Sequence, residues 1–412
     1  MYDAIAREVI SRCRSLATCS DEPGYTTRTF LSGSMRKVHA DLSQWMTAAG
    51  MTVRVDAVGN IRGVHAATSS IARRLLIGSH LDTVPHAGAF DGVLGVVIGV
   101  ALVESLRDRR LPFAIEVVGF SEEEGVRFGV PFVGSRALVG EVDEALLAVK
   151  DTSGTSISEA INTFGLDVSR IDEARVAQNP LGYLEFHIEQ GPVLEQLRRP
   201  VAVVDRIVGR TYAEVTFVGA AGHAGTTPMD ARRDALAGCA EWIGQVEGYA
   251  RRSPGLVATV GRIGAEPGAA NVIAGRCRVT VDVRHAEDSV RAAAIDRLRA
   301  DAADIAARRG LTLEWSPRFE NGAVAMDTSL VARLMRAVER TSTSPMMMSS
   351  GAGHDAMILA AHMPAAMLFI RTPGGVSHHP DESVMESDVA VALAAGVNFL
   401  EELAGEDPPL HS

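Results

Sequence analysis

Residues 75–103 read LLIGSHLDTVPHAGAFDGVLGVVIGVALV. The leading residues, Leu75 to Gly78, suit a short buried strand. Val93 to Val103 is the longest apolar run; it is about half the ~20 residues that a membrane-spanning helix needs, and it reads as a buried helix. A strand, a polar loop carrying His80, Asp82 and Asp91, and then a buried helix make one unit of a parallel sheet covered by helices.

The same pattern extends on both sides. Helices are expected at about 2–17, 34–49 and 92–108. Strands are expected at Ile115–Phe120, just before Glu122, Glu123 and Glu124, and at Leu184–Ile188, around His187. In each case the polar group lies at or beyond a strand end, where open α/β sheets place their active sites. From about residue 207 the rhythm changes. Residues 211–219, 256–263 and 276–284 alternate apolar and polar side chains, as strands with one buried face do, and helices are expected at about 230–251 and 287–309. After Asn321 the first style returns, with a helix at 328–341, a strand at Ala366–Ile370 and a helix at 387–404. The expectation is an α/β fold with a discontinuous domain, 1–206 and 321–412, on a mostly parallel sheet, and an inserted α+β domain, 207–320.

Composition narrows the function classes. A chain of 412 residues is long enough for two domains. Its net charge is −11 and its Lys and Arg are scattered, which argues against nucleic acid as a partner, as the short apolar run argues against a membrane. The start, MYDAIAREVISRCRSL, carries acids among apolar residues and reads as an amphipathic helix, not a signal peptide, so the cytoplasm is the expected compartment. Cys13, Cys19, Cys239 and Cys277 show no CxxC spacing and are expected to be reduced thiols.

The polar residues of the loops suggest metal chemistry. In an extended segment Asp82 points to the same side as His80 and can accept a hydrogen bond from its ring, as carboxylates behind metal-bound histidines do. Asp91 suits a helix N-cap, yet its two oxygens could also bridge two cations. Three consecutive glutamates usually form a solvated face. Beside a metal, one could hold the cation while a neighbour takes a proton from the attacking water. His187 alone reads as a core histidine, and His378 and His379 alone as loop residues; their combination with the acids is what signals a site.

The phrases GSHLDTVPHAGAFDGVLGV, SEEEGVRF, HIEQGP, GHAGTTPMDARRDAL, NVIAGRCRVTVDVR, SGAGHDAM and GGVSHHPDE run in order from about residue 78 to 386. With them the chain resembles the M20 family of metallohydrolases, and within it the hydantoinase/carbamoylase-type amidases: N-carbamoyl-L-amino acid hydrolases, allantoate amidohydrolases and β-ureidopropionases. That resemblance implies two divalent ions per subunit (Zn, Mn, Co or Ni), one on His80, Asp91 and His187 and the other on Asp91, Glu123 and His378, with Asp91 bridging. Residue order leaves both Glu123 and Glu124 open as the ligand, and the family's acidic run favours Glu123. His378 is preferred to His379 because the family motif places the ligand directly after Ser377. Glu122 resembles the general base and Asp82 the residue that orients His80. Residues 207–320 correspond to a lid and dimerisation domain, which implies a homodimer. There His223 resembles an oxyanion donor, and Asn271 and Arg284 the groups that hold a substrate carboxylate, for which a planar guanidinium is suited. Gln190 and His354 are implied substrate contacts. Arg371 is expected in a structural ion pair, with a second substrate group as its other possible partner.

The expected activity is hydrolysis of the ureido C–N bond of an N-carbamoyl-L-amino acid or an allantoate-like ureido acid. A dipeptidase or N-acyl amino acid deacylase would use the same ions and the same carboxylate clamp. A silent metal- or ligand-binding homologue is the third reading, which an intact Glu122 disfavours.

Overall fold

In the computed structural model, residues 2–69, 72–107, 109–177 and 179–406 are described. The chain divides into two compact units, one made of the residues up to Asp205 and from Ala325 onward, the other of Arg206–Val324.

The first unit is built on a nine-stranded sheet. At its centre, strands Ala114–Phe120, Arg74–His80, Gly182–Ile188 and Ala365–Ile370 lie side by side and parallel. These strands are buried almost throughout, which explains why they read as apolar runs without alternation. Helix Val93–Leu106, buried along nearly its whole length, lies against the first three of them. Position 108, where the sequence suggested this helix would end, lies outside the described residues. Helices Tyr2–Ala17 and Glu386–Glu406 pack against it in turn. Antiparallel partners close both sides of the parallel core: Ile61–His65 beside Ala114–Phe120, and Val201–Ile207 beside Ala365–Ile370.

Register fixes where the site forms. His80 is level with Phe120, and His187 with Phe369. The carboxyl ends of four adjacent strands therefore deliver His80, the three glutamates, His187 and the loop of His378 to one rim of the sheet, in keeping with the rule for open α/β sheets.

The second unit is a four-stranded antiparallel sheet in the order Thr312–Asn321, Gly209–Val218, Arg276–His285, Val257–Glu266. Helices Ala235–Arg252 and Asp288–Arg308 cover one face, and Trp242, Phe217, Val281, Leu298 and Ile305 form the core between them. Asp234 caps the first helix by accepting from the N–H groups of Leu236 and Ala237, so the helix begins later than its sequence periodicity suggested. Strand Thr312–Asn321 escaped the sequence reading. It is largely exposed and contains Pro317, and its pairing with Gly209–Val218 is what orders it. Among the described residues no helix is long and apolar enough to cross a membrane.

Candidate metal centre

His80 and His187 share a local geometry. The Nδ1–H of His80 donates to the carbonyl of Asp82 at 2.9 Å, and the Nδ1–H of His187 donates to the carbonyl of Ile188 at 2.9 Å. A carbonyl only accepts, so each Nδ1 keeps its proton and each ring turns its Nε2 inward. Those two Nε2 atoms are 3.4 Å apart, and Asp91 Oδ1 lies 3.3 Å from that of His187 and 3.8 Å from that of His80. Two ring nitrogens and a carboxylate oxygen, all buried, thus converge within 3.8 Å of one another, and these are donor types that divalent cations take. Burial lowers the His187 ring to about 4, with His80 adding, while Asp91 opposes.

The other face of Asp91 meets a second set. Asp91 Oδ2 lies 3.1 Å from His378 Nε2, and His378 Nε2 lies 3.5 Å from Glu124 Oε1. Asp91, Glu124 and His378 thus form one group with metal-ligand spacing, as His80, Asp91 and His187 do; His80, Glu123 and Glu124 form another, and Glu185, His187 and His354 a further one. Burial works against an ionised Asp91, yet the bond to His378 and the nearby His187 and His80 hold it below its ordinary value. Burial pushes Glu124 up to about 7 and Glu123 well above the carboxylate range. Among the described residues no Lys or Arg pairs with Asp91, Glu122, Glu123 or Glu124. The acids at this rim are therefore short of positive charge, and the donor set suits divalent cations.

Several expectations change here. The glutamate that joins Asp91 and His378 is Glu124, not Glu123. The chain bends at this point because the N–H groups of Glu123 and Glu124 both donate to the Asp82 carboxylate, at 2.9 and 3.1 Å, and both side chains come near His80. Glu122 belongs to none of these groups, and among the described residues its buried carboxylate oxygens make no close hydrogen bond. With its carboxylate engaged in this way, Asp82 receives His80 through its backbone carbonyl, and its nearest carboxylate oxygen is 3.6 Å from the ring. Asp91 does not cap the following helix. Gly92 holds that position at φ 67°, and a Cβ there would fall 2.5 Å from ring atoms of His80, so a glycine after Asp91 leaves room for the histidine.

Gln190 lies at the rim, its Nε2 donating to Asp91 Oδ1 and Oδ2 at 3.2 and 3.1 Å. His354 is buried, 4.4 Å from His187 between ring centroids, with its Nε2 2.8 Å from the Ser350 hydroxyl. Arg371 forms a bidentate pair with Asp388 at 2.7 and 2.9 Å. In the second unit, His223 is paired in register with Val272, next to Asn271. Arg284 lies elsewhere, bound to Asp282 at 2.8 and 3.1 Å. Arg284 stands eight residues beyond Arg276 on one strand, roughly 26 Å along it at the usual strand rise, whereas Asn271 precedes that strand. Sequence reasoning gave no role to Glu185, which accepts from Ser79 Oγ and from the Ala356 N–H, both at 2.9 Å, or to Glu382. Glu382 stood inside the phrase GGVSHHPDE, which was the only signal for it.

Peptidase family M20/M25/M40 matches residues 76–403. The chain belongs to that family. It is 38% identical over 442 residues to a probable allantoate deiminase of Oryza sativa subsp. japonica, covering 98% of this chain and 90% of that protein. It is 36% identical over 397 residues to an N-carbamoyl-L-amino acid amidohydrolase of Geobacillus stearothermophilus, covering 95% of this chain and 97% of that protein. Among solved structures, an amidase of the hydantoinase/carbamoylase family from Burkholderia multivorans superposes with a TM-score of 0.91 at 33% identity, over 97% of this chain and 98% of that one. This M20 chain thus combines a large, mostly parallel sheet with an inserted α+β unit.

Proposed function

We propose that the protein hydrolyses the ureido C–N bond of a small carboxylic acid, an N-carbamoyl-L-amino acid or an allantoate-like compound. The overall balance for a carbamoyl group is one water consumed, with the amine, ammonia and carbon dioxide released. The observation that carries this reading is the pairing of the Asp91-centred donor set with near full-length relatives whose names specify ureido acids.

Two divalent cations, when bound, would polarise the carbonyl and acidify the attacking water. His80, Asp91 and His187 would hold one, and Asp91, Glu124 and His378 the other. The carbonyls of Asp82 and Ile188 keep the two rings in the tautomer that leaves Nε2 free. Glu123, which shares a cluster with His80 and Glu124, is the proposed base: it takes the proton of the water and passes it to the departing nitrogen. His223 is the proposed donor to the oxyanion, a contact whose loss commonly costs about 10² to 10³ in rate. Asn271 and Arg284 remain the proposed carboxylate clamp. A homodimer through residues 207–320 remains the proposed assembly. The cytoplasm stays the proposed compartment.

Purified protein loaded with Mn²⁺ or Zn²⁺ and assayed for ammonia release from N-carbamoyl-L-amino acids and from allantoate tests the substrate class. Turnover of at least one is expected, and inertness toward both would rule the class out. Glu123→Gln should keep its ions and lose turnover, whereas Glu122→Gln should retain most of it; the reverse outcome would return the base to Glu122.

A further inference from the structure

We propose that Glu382 is a positioning residue that clasps the Asp91 loop to the His378 loop and thereby sets the affinity of the second cation site. The proposal rests on the dimetal reading above. Glu382 is only 5% exposed. On one side its Oε1 accepts from the N–H of Phe90 at 2.8 Å and from the N–H of Asp91 at 3.0 Å. On the other, Ser377 Oγ, directly before His378, lies 3.3 Å from Glu382 Oε2 and 3.3 Å from Asp91 Oδ2, with one proton to share between them. A closed ring results: the Asp91 carboxylate, the Ser377 hydroxyl, the Glu382 carboxylate and the Asp91 amide.

The ring joins two segments that lack regular secondary structure. Residues 81–92 and 376–385 contain no strand or helix, and His378 sits at φ 55°. The packing at Gly88 supports the same role. A Cβ on Gly88 would fall 2.6 Å from Glu382 Cδ, so the glycine makes room for the carboxylate. Asp91 and His378 are both ligands of the proposed second ion, and ligand geometry within a fraction of an ångström governs how well such an ion is held. Groups that orient metal ligands typically account for about 10- to 100-fold in metal affinity or activity. Because both backbone donors share Oε1, the clasp needs an acceptor oxygen and not a charge.

The test is calorimetric titration of Mn²⁺ into chelator-stripped, full-length wild type, Glu382→Gln, Glu382→Leu and Gly88→Ala, with thermal melts in parallel. The Gln variant retains an acceptor oxygen and is expected to bind two ions as wild type does. The Leu variant is expected to bind the second ion about 10- to 100-fold more weakly, with a smaller change at the first, and Gly88→Ala to shift in the same direction. Wild-type affinities in the folded Leu and Ala variants would overturn the clasp. So would a Gln variant as weak as the Leu variant, which would assign the effect to charge. Should Glu382→Leu fail to fold, Gly88→Ala decides alone. A wild type that binds no ion overturns the dimetal reading and the clasp together, whereas a two-ion wild type with insensitive variants overturns only the clasp.

Discussion

Strand Ala114–Phe120 carries a buried carboxylate in its body and delivers three more just past its end, and the two settings treat charge in opposite ways. Glu116 meets Arg62 Nε and Arg74 Nη1, each at 2.6 Å, with Asp56 on the far side of Arg62 at 3.7 Å. Burial opposes its ionisation, but the two arginines outweigh that and hold it below the ordinary carboxylate value. Beyond Phe120 the balance reverses. Burial drives Glu123 and Glu124 upward, and the groups that share their clusters are His80, His378 and Asp91, with no Lys or Arg paired to them among the described residues. A network that holds the fold closes its own charge balance; a site proposed to receive cations leaves it open.

Three substitutions sharpen or break this contrast. The largest effect is expected at the open end. Asp91→Ala removes the shared ligand, and ammonia release should fall by at least about 10³-fold, the equivalent of several kcal/mol of lost Lewis-acid assistance, while the far-UV circular dichroism stays unchanged. Retained turnover would mean that the two donor sets do not depend on a shared carboxylate. Next comes the closed end. Glu116→Ala leaves Arg62 buried without its main partner and should destabilise the first unit by about 3 to 5 kcal/mol in urea unfolding, with the Mn²⁺ stoichiometry of the remaining folded protein unaltered. A loss of metal there would show that the two ends are one network. The smallest effect is expected where water already surrounds the charges: Arg170 and Glu173 form an exposed pair, and Arg170→Ala should leave the urea unfolding midpoint essentially unchanged.

The same contrast explains what the sequence disclosed. Strands at Arg74–His80, Ala114–Phe120 and Gly182–Ile188 were legible because parallel strands buried on both faces are written as unbroken apolar runs. His80, Asp91, His187 and His378 were legible because each stands in a phrase whose order matches a known family. The separate placement of Glu122, Glu123 and Glu124 was not. Three identical residues in a row differ only in where the backbone bends, and that bend depends on the Asp82 carboxylate accepting two amides from a loop about forty residues away. Glu382 was equally silent, since its partners at Phe90 and Asp91 are nearly 300 residues distant and are backbone groups with no sequence signature. Strand Thr312–Asn321 was lost for a different reason: exposed on most of its length, it has too little apolar patterning to announce itself.

The claim on which all of this depends is that cations complete the charge balance at the strand ends. Titrating chelator-stripped wild type with Mn²⁺, alongside Asp91→Ala, tests it directly. Two ions per chain are predicted for the wild type, each stabilising the fold by about 2.7 kcal/mol when free Mn²⁺ is 100 times its Kd, with both ions severely weakened in the variant. A wild type that binds no ion, or one that holds two ions as tightly after Asp91 is removed, would contradict the account.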